Sequence, residues 1–368
     1  MQNKCTSRVQ CSISLAALQD NFNAIKQYAK SCALMPVLKN NAYGMGVKNI
    51  GAALKSFGAA RFAAADLNEA IELQELGTVQ ILGALFPEEM PEAIRAGIIC
   101  PVCQLATAEA LSQEAVRQNR QVSVAIKLDT GMGRLGFSPE DDLQTIVDLV
   151  KLPNLKVDSL FAHFASADEP DLEYSSWQIE RFKNALAKLN AAGISFPNIH
   201  HAAGDAVFNI PQATEPPFNM VRPGGVLYGK NFTGHCRQII RVTAKIAAIS
   251  TFKAGKSVGY CRTFTVPEDT LIATISAGYA DGVPLALSNR GRVLIGGVSC
   301  PVRGRVAMDY LMVDVSGVPG AAVGDEVVLL GKQGDEAVTI QEWAEIKGTH
   351  SHDIWCSIGP RTRRVICD

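Results

Sequence analysis

The sequence of 368 residues predicts an α/β fold, in which an N-terminal (β/α)8 TIM barrel precedes a mostly antiparallel C-terminal β domain. Two observations lead to this prediction. From residue 12 to about 235, short apolar runs alternate with segments of helical periodicity. After residue 236, β-rich runs separated by Gly, Pro and Asp dominate. An open doubly wound sheet remains the alternative for the first part, because alternation alone does not show closure.

The helical segments can be followed along the chain in order. Apolar residues recur at helical spacing over residues 14–30 and over 171–192, which predicts two amphipathic helices. A capping-box pattern that begins at Asp66 marks another helix start. Ser138 followed by Pro139 resembles an N-cap with proline at the first helical position, so we expect a helix to begin there.

Eight apolar runs before residue 236 qualify as strands, and most are separated from the next by a helical segment. Eight βα units over roughly 200–250 residues are what a closed barrel requires. The centres of the predicted strands are Val37, Ala64, Ile81, Ile99, Ala125, Ser159, Ile199 and Met220.

The barrel domain is therefore assigned to residues 12–235 and the β domain to residues 236–368. Residues 1–11 are a candidate for pairing onto the β domain. Within the β domain, one helical pattern occurs, at Ile340 to Ile346. The β-rich runs are Val242 to Ile249, Thr270 to Ile275, Arg292 to Ile295, Leu311 to Val315 and Glu326 to Leu330.

Composition excludes several classes of protein. The net charge of -1 offers no diffuse attraction to nucleic acid or to an anionic membrane, so we expect a small-molecule ligand. Hydrophobic residues make up 47% of the chain, which excludes disorder as the dominant state. No signal-peptide pattern and no apolar run of about 18 residues occurs. The ten cysteines show no disulfide pattern, and Cys100-Pro-Val-Cys103 lacks the second pair of a zinc site, so we expect a cytoplasmic protein without a metal.

Lys39 follows the first predicted strand, in the segment Leu38-Lys39-Asn40-Asn41-Ala42-Tyr43-Gly44. The carboxyl ends of barrel strands face the active site. A lysine held there among apolar neighbours loses its proton more easily and can bind a carbonyl compound covalently. The alternative is a solvated lysine in a loop.

Gly131-Met132-Gly133-Arg134-Leu135-Gly136 matches the dinucleotide-binding fingerprint. That fingerprint must open a helix and belongs after the first strand. Here Ser138 and Pro139 place the helix start after the glycines, and the preceding strand is the fifth. We therefore interpret the segment as a glycine-rich strand end that presents Lys127, Asp129 and Arg134.

Further polar residues follow the later strands. Arg222-Pro223-Gly224-Gly225 follows the eighth strand, where barrel loops commonly bind a phosphate through backbone N–H groups. His163 ends the sixth strand, where its ring could stack on a planar cofactor; a structural histidine is the alternative. His350, His352, Asp353 and Cys356 fit no standard zinc pattern and are interpreted as a polar loop.

Taken together, these segments resemble the alanine racemase family, fold-type III enzymes that use pyridoxal 5'-phosphate, over nearly the whole chain. The resemblance implies an isomerase that works as a homodimer with shared active sites and supplies D-alanine as a peptidoglycan precursor. It rests on Lys39–Gly44, Lys127–Phe137, His163-Phe164-Ala165 with Ala167-Asp168, Arg222-Pro223-Gly224 with Leu227-Tyr228-Gly229, Ala277–Gly282, and Gly304-Arg305-Val306 with Met308-Asp309.

The family's catalytic roles are implied position by position. Lys39 matches the lysine that binds the cofactor covalently and is the base on one face of the substrate. Tyr260 matches the tyrosine that reaches the partner subunit's site, so that one base removes the α-proton and the other returns one. Arg222 matches the arginine that faces the pyridine nitrogen and leaves it unprotonated. His163 matches the neighbour of the cofactor ring.

The remaining matches concern substrate and phosphate. Arg134 matches the residue that orients the substrate carboxylate, and Met308 matches a residue near it. Lys127 matches a lysine that is often carbamylated. The other matches are phosphate contacts at Tyr43, Gly224 and Gly225, with His352 at a further phosphate position.

Three departures from the family pattern leave the preferred amino acid open. Gly204-Asp205 replaces the usual Asn-Ser, and an ionised Asp205 would repel a phosphate. His352 replaces a tyrosine that contacts the phosphate and narrows the substrate entrance. Leu285 replaces an arginine that supports Arg222.

The alternatives are a racemase for serine or for a broader set of amino acids, a fold-type III decarboxylase, and a non-catalytic barrel that binds pyridoxal phosphate. Arg222 argues against the decarboxylase, because decarboxylation benefits from a protonated pyridine. Gly204-Asp205 and His352 are the best support for the non-catalytic alternative.

Overall fold

A computed structural model describes residues 8–229 and 234–368. The chain forms two compact units. The barrel unit comprises Ala16–Ala42 and Gly46–Gln238, and the β unit comprises Met1–Leu15, Tyr43–Met45 and Ile239–Asp368.

The strands, in chain order, are β1 (Gln10–Ser14), β2 (Ala33–Leu34), β3 (Arg61–Ala64), β4 (Thr78–Ile81), β5 (Cys100–Val102), β6 (Val122–Lys127), β7 (Leu155–Phe161), β8 (Asn198–His200), β9 (Met220–Val221), β10 (Ile240–Phe252), β11 (Ser257–Val258), β12 (Phe264–Thr265), β13 (Thr270–Ile275), β14 (Arg292–Ile295), β15 (Val298–Pro301), β16 (Leu311–Asp314), β17 (Glu326–Gln333), β18 (Glu336–Val338) and β19 (Arg363–Cys367). The α-helices cover Leu15–Tyr28, Val47–Ser56, Leu67–Leu73, Met90–Arg95, Leu105–Arg117, Leu143–Leu149, Glu173–Ala191, Ala206–Asn209, Ile340–Lys347 and Ser351–Ser357.

Strands β2 to β9 form a closed parallel barrel. β3 pairs with β4, β5 to β8 pair in chain order, and β9 pairs with β2. The remaining neighbours are joined by single parallel bridges between Val37 and Ala63, Gln80 and Ile99, and Ala203 and Arg222. The ring of eight strands confirms the predicted (β/α)8 barrel and excludes the open sheet.

The inside of the barrel is filled by side chains rather than left as a channel, as in other barrels of eight strands. One buried cluster joins Met35, Val37, Ala63 and Met220. A second joins Ile99, Ala125 and Phe161, and the partly buried Leu82 packs against both. The polar residues of the site must therefore lie above this core, at the carboxyl ends of the strands.

The helices of the barrel unit pack their apolar faces inward, as their sequence periodicity predicts. Leu15–Tyr28 lies within the predicted range 14–30, and Glu173–Ala191 lies within 171–192. Asp66 caps Leu67–Leu73 by accepting from the amide of Glu69 at 3.0 Å.

The predicted helix start at Ser138 and Pro139 is wrong. The Ser138 hydroxyl accepts from the amide of Asp141 at 3.2 Å and so caps a separate turn. The helix begins only at Leu143, after Asp142 has turned back to accept from the amide of Ser138 at 2.7 Å.

The β unit is built on a sheet of nine strands, mostly antiparallel as predicted, and β11 and β12 pair separately. The strand order is β15-β14-β17-β10-β1-β19; β13 pairs with β10 and β16, and β18 pairs with β17. The long strand β10 shifts register between Ile246 and Ala248, where it passes from β17 to β13. Residues 1–11 are the segment predicted to pair onto the β domain, and residues 1–7 of it lie outside the described residues. Gln10 and Cys11 belong to β1, which pairs antiparallel with β10 and parallel with β19.

The interpretation of residues 350–356 as a loop is wrong, because Ser351–Ser357 is an α-helix with Asp353 in its first turn. No group of three metal-ligating side chains occurs among the described residues. No helix in residues 8–229 and 234–368 has the length and apolarity of a membrane span. The nine cysteines in those ranges are free, and Cys5 lies outside them.

Candidate active site

A cavity of about 280 Å³ opens at the carboxyl end of the barrel strands. Its lining residues end or follow different strands, which is where barrel enzymes assemble their sites. They are Lys39, Ala65, Leu82, Gly83, Lys127, Arg134, Leu135, Phe161, His163 and Arg222. Five of the residues predicted from sequence therefore line one cavity.

The cavity is strongly cationic. Lys39, Lys127, Arg134 and Arg222 line it, and the described lining residues include no carboxylate. Because like charges repel at close range, such a site favours anionic ligands or a modification that adds negative charge.

Lys39 precedes a left-handed turn. Residues 40–43 all have φ between 50° and 55°, although none of them is glycine. This conformation costs roughly 1–2 kcal/mol per residue, so tertiary contacts must hold it. The Asn41 side chain accepts from the amide of Val47 at 2.8 Å, and the amide of Asn40 donates to Glu69. The turn fixes the backbone from which Lys39 enters the cavity.

Arg222 is buried, and its partners are all neutral. Nη1 lies 2.5 Å from Nδ1 of His200, and Nη2 lies 3.2 Å from Nδ1 of His163. Nη2 also donates to the carbonyl oxygens of Ala162 at 2.6 Å and His201 at 3.1 Å. The guanidinium group is thus held rigidly at the ends of β7, β8 and β9.

The imidazoles around Arg222 are neutral. Burial lowers the pKa of His163, His200 and His201 well below the usual value, and the charge of Arg222 lowers each of them further. Burial also lowers the pKa of Arg222 to about 9, which still leaves the guanidinium protonated at neutral pH. Since His200 accepts through Nδ1, its proton lies on Nε2, which meets no acceptor among the described residues.

Lys127, at the end of β6, is a buried lysine without a carboxylate partner in the cavity. Its Nζ donates to the carbonyl oxygen of Leu135 at 2.7 Å. Burial is the main cause that lowers its pKa, and the charges of Arg134 and Arg222 contribute. A lowered pKa increases the fraction of lysine side chains that are neutral, and therefore nucleophilic, near neutral pH.

The loop after β6 is organised by Asp129. Its carboxylate accepts from the amides of Gly131 and Gly133 at 3.0 Å and of Arg134 at 2.9 Å. Burial acts to raise the pKa of Asp129, but these hydrogen bonds outweigh burial and lower it. Gly136, at φ 126°, has no room for a Cβ, which would lie 2.7 Å from the amide nitrogen of Asp129. The glycines therefore form a loop that presents Arg134, and no helix follows them directly, as the interpretation against a dinucleotide site requires.

The predicted phosphate residues of the barrel unit adjoin Arg222. Gly224 and Gly225 begin the 3-10 helix Gly225–Tyr228, whose first N–H groups have no acceptor within the helix. Asp205, for which the resemblance implies a serine, is buried before the short helix Ala206–Asn209.

The remaining predicted residues lie in the β unit. The rings of Tyr43 and His352 lie 5.6 Å apart between centroids, and both rings contact Trp355. Tyr260 begins a single 3-10 turn, and Met308 lies in the loop before β16; both side chains are exposed.

Cys100 is a buried thiol and Cys103 a partly buried one. Burial raises the pKa of both, to about 12 for Cys100, so they stay protonated at neutral pH.

Sequence reasoning missed the part played by His200 and His201. The one available signal is that two adjacent histidines follow the predicted strand centre Ile199, at the end that faces the site. A histidine among apolar residues is usually structural, so the contact of His200 with Arg222 could be found only in three dimensions.

The cavity residues fit a flat, anionic cofactor with an aldehyde group. Lys39 supplies an amine for a covalent bond, and four cations supply the complementary charge. The neutral ring of His163 supplies an apolar flank, and Arg222 supplies a positive charge at a fixed position. Pyridoxal phosphate meets these requirements.

Comparison with known proteins gives the same answer. The family models for the alanine racemase N-terminal and C-terminal domains match residues 13–232 and 239–366. Alanine racemase of Carboxydothermus hydrogenoformans is 38% identical, over 97% of this chain and 99% of its own.

Two solved structures resemble the whole chain. Alanine racemase of Clostridium difficile 630 is 31% identical, with a TM-score of 0.92 over 99% of this chain and 97% of its own. Alanine racemase of Bartonella henselae, solved with covalently bound pyridoxal phosphate, is 25% identical, with a TM-score of 0.89 over 98% of this chain and 100% of its own. The chain therefore belongs to the alanine racemase family, which confirms the predicted family, its isomerase activity and its pyridoxal-phosphate cofactor.

Proposed function

We propose that this protein interconverts L- and D-alanine by a two-base mechanism, with Lys39 as one base and Tyr260 of the partner subunit as the other. The observation that carries the proposal is that Lys39, Lys127, Arg134 and Arg222 line one cavity at the carboxyl ends of the barrel strands. When bound, pyridoxal phosphate withdraws electrons from the α-carbon of the amino acid and so makes its proton easier to remove.

Lys39 holds the cofactor and works from one face of the substrate. Its backbone is fixed by the left-handed turn at residues 40–43, so the amine returns to the same place each time it is released. As a free amine it takes the α-proton of one enantiomer. In the reverse direction it gives a proton back to the same face.

Tyr260 works from the opposite face, as the phenol of the other subunit. Its side chain is 69% exposed on its own chain, which suits a residue that acts in a neighbour. Racemisation needs two bases on opposite faces, because a single base would return the proton to the side from which it came.

An exposed apolar patch around Met308 supports the homodimer. Tyr279, Leu285, Met308 and Tyr310 are all exposed. Their loops belong to one surface, because the amide of Tyr279 donates to Ala307 at 3.0 Å and the neighbouring amide donates to Met308 at 3.1 Å. Exposed apolar side chains on neighbouring loops favour an interaction site.

Arg222 and His163 hold the cofactor ring. Arg222 would face the pyridine nitrogen and, because it keeps its own proton at neutral pH, would leave that nitrogen unprotonated. This limits the spread of negative charge into the ring and disfavours transamination and decarboxylation. The His163 ring, neutral because of burial and the nearby cations, packs beside the cofactor.

Arg134 orients the substrate carboxylate, and the resemblance assigns Met308 to a position near that carboxylate. We also propose that Lys127 is carbamylated. The ammonium group first loses one proton to solvent; the neutral amine then attacks carbon dioxide, an N–C bond forms and a second proton leaves to solvent, so a cation becomes an anion. The new charge offsets the excess of cations in the cavity and pairs with Arg134.

The resemblance assigns the phosphate to Tyr43, His352 and the amides of Gly224 and Gly225. The proximity of the Tyr43 and His352 rings and the start of the 3-10 helix support this assignment. Asp205 takes no part as an ionised group, because its charge would repel the phosphate.

The substrate range is the least constrained part of the proposal. His352 replaces a larger tyrosine at the entrance, which favours a second candidate function, a racemase that also accepts serine or longer amino acids. A panel of common L-amino acids with added cofactor separates the two. Alanine should be converted fastest, and a faster reaction with another amino acid would replace it as the substrate.

The reaction is tested with L-alanine deuterated at the α-carbon. The wild-type protein should release deuterium and form D-alanine, and Lys39→Ala should lose both this activity and the visible absorption band of the bound cofactor. Carbon dioxide release would instead indicate a decarboxylase, and cofactor binding without deuterium loss would indicate a non-catalytic barrel.

The free cysteines suit a reducing compartment, so we place the enzyme in the cytoplasm, where D-alanine serves as a peptidoglycan precursor. Expression in a bacterium that requires D-alanine should remove that requirement. Continued dependence on D-alanine, with active enzyme present, would exclude this biosynthetic role.

A further inference from the structure

Gln178 is a fully buried polar side chain in the long helix Glu173–Ala191, on the outside of the barrel. Its amide nitrogen Nε2 donates to the carbonyl oxygen of His163 at 3.2 Å. Its oxygen Oε1 accepts from the amide of Ala165 at 3.0 Å. The side chain thus binds one donor and one acceptor of the segment that follows β7, as a neighbouring strand would.

The same amide reaches a second strand end. Nε2 of Gln178 donates to Oγ1 of Thr130 at 3.3 Å, and Oγ1 lies 3.4 Å from Nε2 of His201. Thr130 follows β6 and His201 follows β8, so one glutamine connects the exits of three adjacent strands. Thr130 and His201 are buried as well.

These contacts lead directly to the cavity. The ring of Phe164 stacks on His201 with centroids 3.9 Å apart and an angle of 8° between planes. The carbonyl oxygen of His201 accepts from Nη2 of Arg222 at 3.1 Å, and the same Nη2 contacts His163. A shift of the segment after β7 would therefore move His163 and loosen Arg222 together.

We propose that Gln178 is a positioning residue for the cofactor, which sets the plane of the His163 ring and the direction of Arg222 without touching the cofactor itself. This inference rests on the proposed function, in which those two side chains flank and face the ring. On the same helix, Tyr174 donates to the carbonyl oxygen of Gly131 at 2.8 Å, whereas the hydroxyl of Ser175, also buried, has no hydrogen-bond partner among the described residues.

The test compares Gln178→Met with two controls. Gln178→Met keeps the approximate volume but removes every hydrogen bond of the amide. Ser175→Ala changes the same helix without removing a bond. Ser112→Ala removes a bond of 2.7 Å to the carbonyl oxygen of Pro153, in another helix of the barrel unit. It therefore controls for a general loss of stability.

Three properties are measured on each purified protein: the dissociation constant of pyridoxal phosphate, the visible circular dichroism of the bound cofactor, and hydrogen exchange at residues 163–165. For Gln178→Met we expect cofactor binding about tenfold weaker, a changed dichroism band and faster exchange of the Ala165 amide, because two buried backbone groups lose their partner. Both controls should match the wild type in all three.

Equal binding, dichroism and exchange in Gln178→Met and the wild type would overturn the inference. So would a change of the same size in Ser112→Ala, which would make the effect one of stability alone. If Gln178→Met does not fold, Gln178→Glu replaces it, since it keeps the volume and the acceptor for Ala165 and loses the donor to His163. A wild-type protein that binds no cofactor would refute the proposed function, whereas unchanged variants of a cofactor-binding wild type refute only the role of Gln178.

Discussion

Lys127 and Arg222 are two buried cations in one cavity, and they differ in how many hydrogen-bond acceptors surround them. Arg222 has an acceptor for each terminal nitrogen, whereas the one hydrogen bond of Lys127 within the cavity loop goes to Leu135. Burial and the neighbouring cations lower the pKa of Lys127, so its charge is the less stable of the two. A modification that removes that charge therefore belongs at Lys127.

At this residue scale the carbamate can be observed directly. Protein equilibrated with ¹³C-labelled bicarbonate should give a carbamate carbon signal that is absent from Lys127→Gln. Only the neutral amine reacts, so the signal should grow as the pH rises through the pKa of Lys127, which lies below that of an ordinary lysine. Identical spectra of the wild type and Lys127→Gln at every pH would refute the modification.

The left-handed turn joins Lys39 to Tyr43 along the chain, so both cofactor contacts that we propose for this segment depend on it. In the β unit the turn ends at Gly44, at φ 81°, where a Cβ would lie 3.0 Å from the carbonyl oxygen of Trp355. Arg364 donates to the carbonyl oxygen of Gly44 at 2.9 Å and to three other carbonyl oxygens between residues 358 and 362. The forked guanidinium thus anchors the turn.

We predict that Arg364→Lys weakens pyridoxal-phosphate binding by about tenfold, or ~1.4 kcal/mol, because an ammonium group cannot keep four separate contacts. Spectroscopic titration of the unloaded enzyme measures the change. Arg363→Lys is the matched control, because Arg363 is an exposed neighbour on β19. Equal affinities for both variants would contradict the anchoring role.

The barrel strands could be predicted from the sequence, whereas the left-handed turn could not. Each barrel strand is a short apolar run, so every predicted strand centre lies in or beside an observed strand or bridge. Val37 and Ile99, for example, each form one of the single bridges between neighbouring strands. The turn at residues 40–43 could not be predicted, because non-glycine residues adopt positive φ only where distant contacts hold them. Ser138 led to a wrong prediction of a helix start, because its side chain does cap a turn but that turn is separate from the helix.

At the scale of the whole molecule, three buried neutral imidazoles make stability depend on pH. The folded-state pKa of His163, His200 and His201 lies below the unfolded value, so the unfolded chain binds protons first as the pH falls. Their contribution is fully present above the unfolded pKa of about 6.5 and is lost below it.

We predict a fall in the free energy of unfolding that steepens below pH 6.5, toward roughly 4 kcal/mol per pH unit when all three rings differ in protonation. Urea denaturation between pH 7.5 and 5.0 measures the slope. His201→Gln removes one titrating ring and should reduce the slope by about a third. A flat profile between pH 7 and 5.5 would show that these rings are not held neutral.

The central claim, a site shared between two chains, can be tested with mixed dimers. Lys39→Ala and Tyr260→Phe are each expected to be nearly inactive. In a hybrid of the two, one site keeps both wild-type residues, so random mixing should restore about a quarter of wild-type racemisation. Mixing that restores no activity, although hybrid dimers have formed, would contradict a site built from Lys39 of one subunit and Tyr260 of the other.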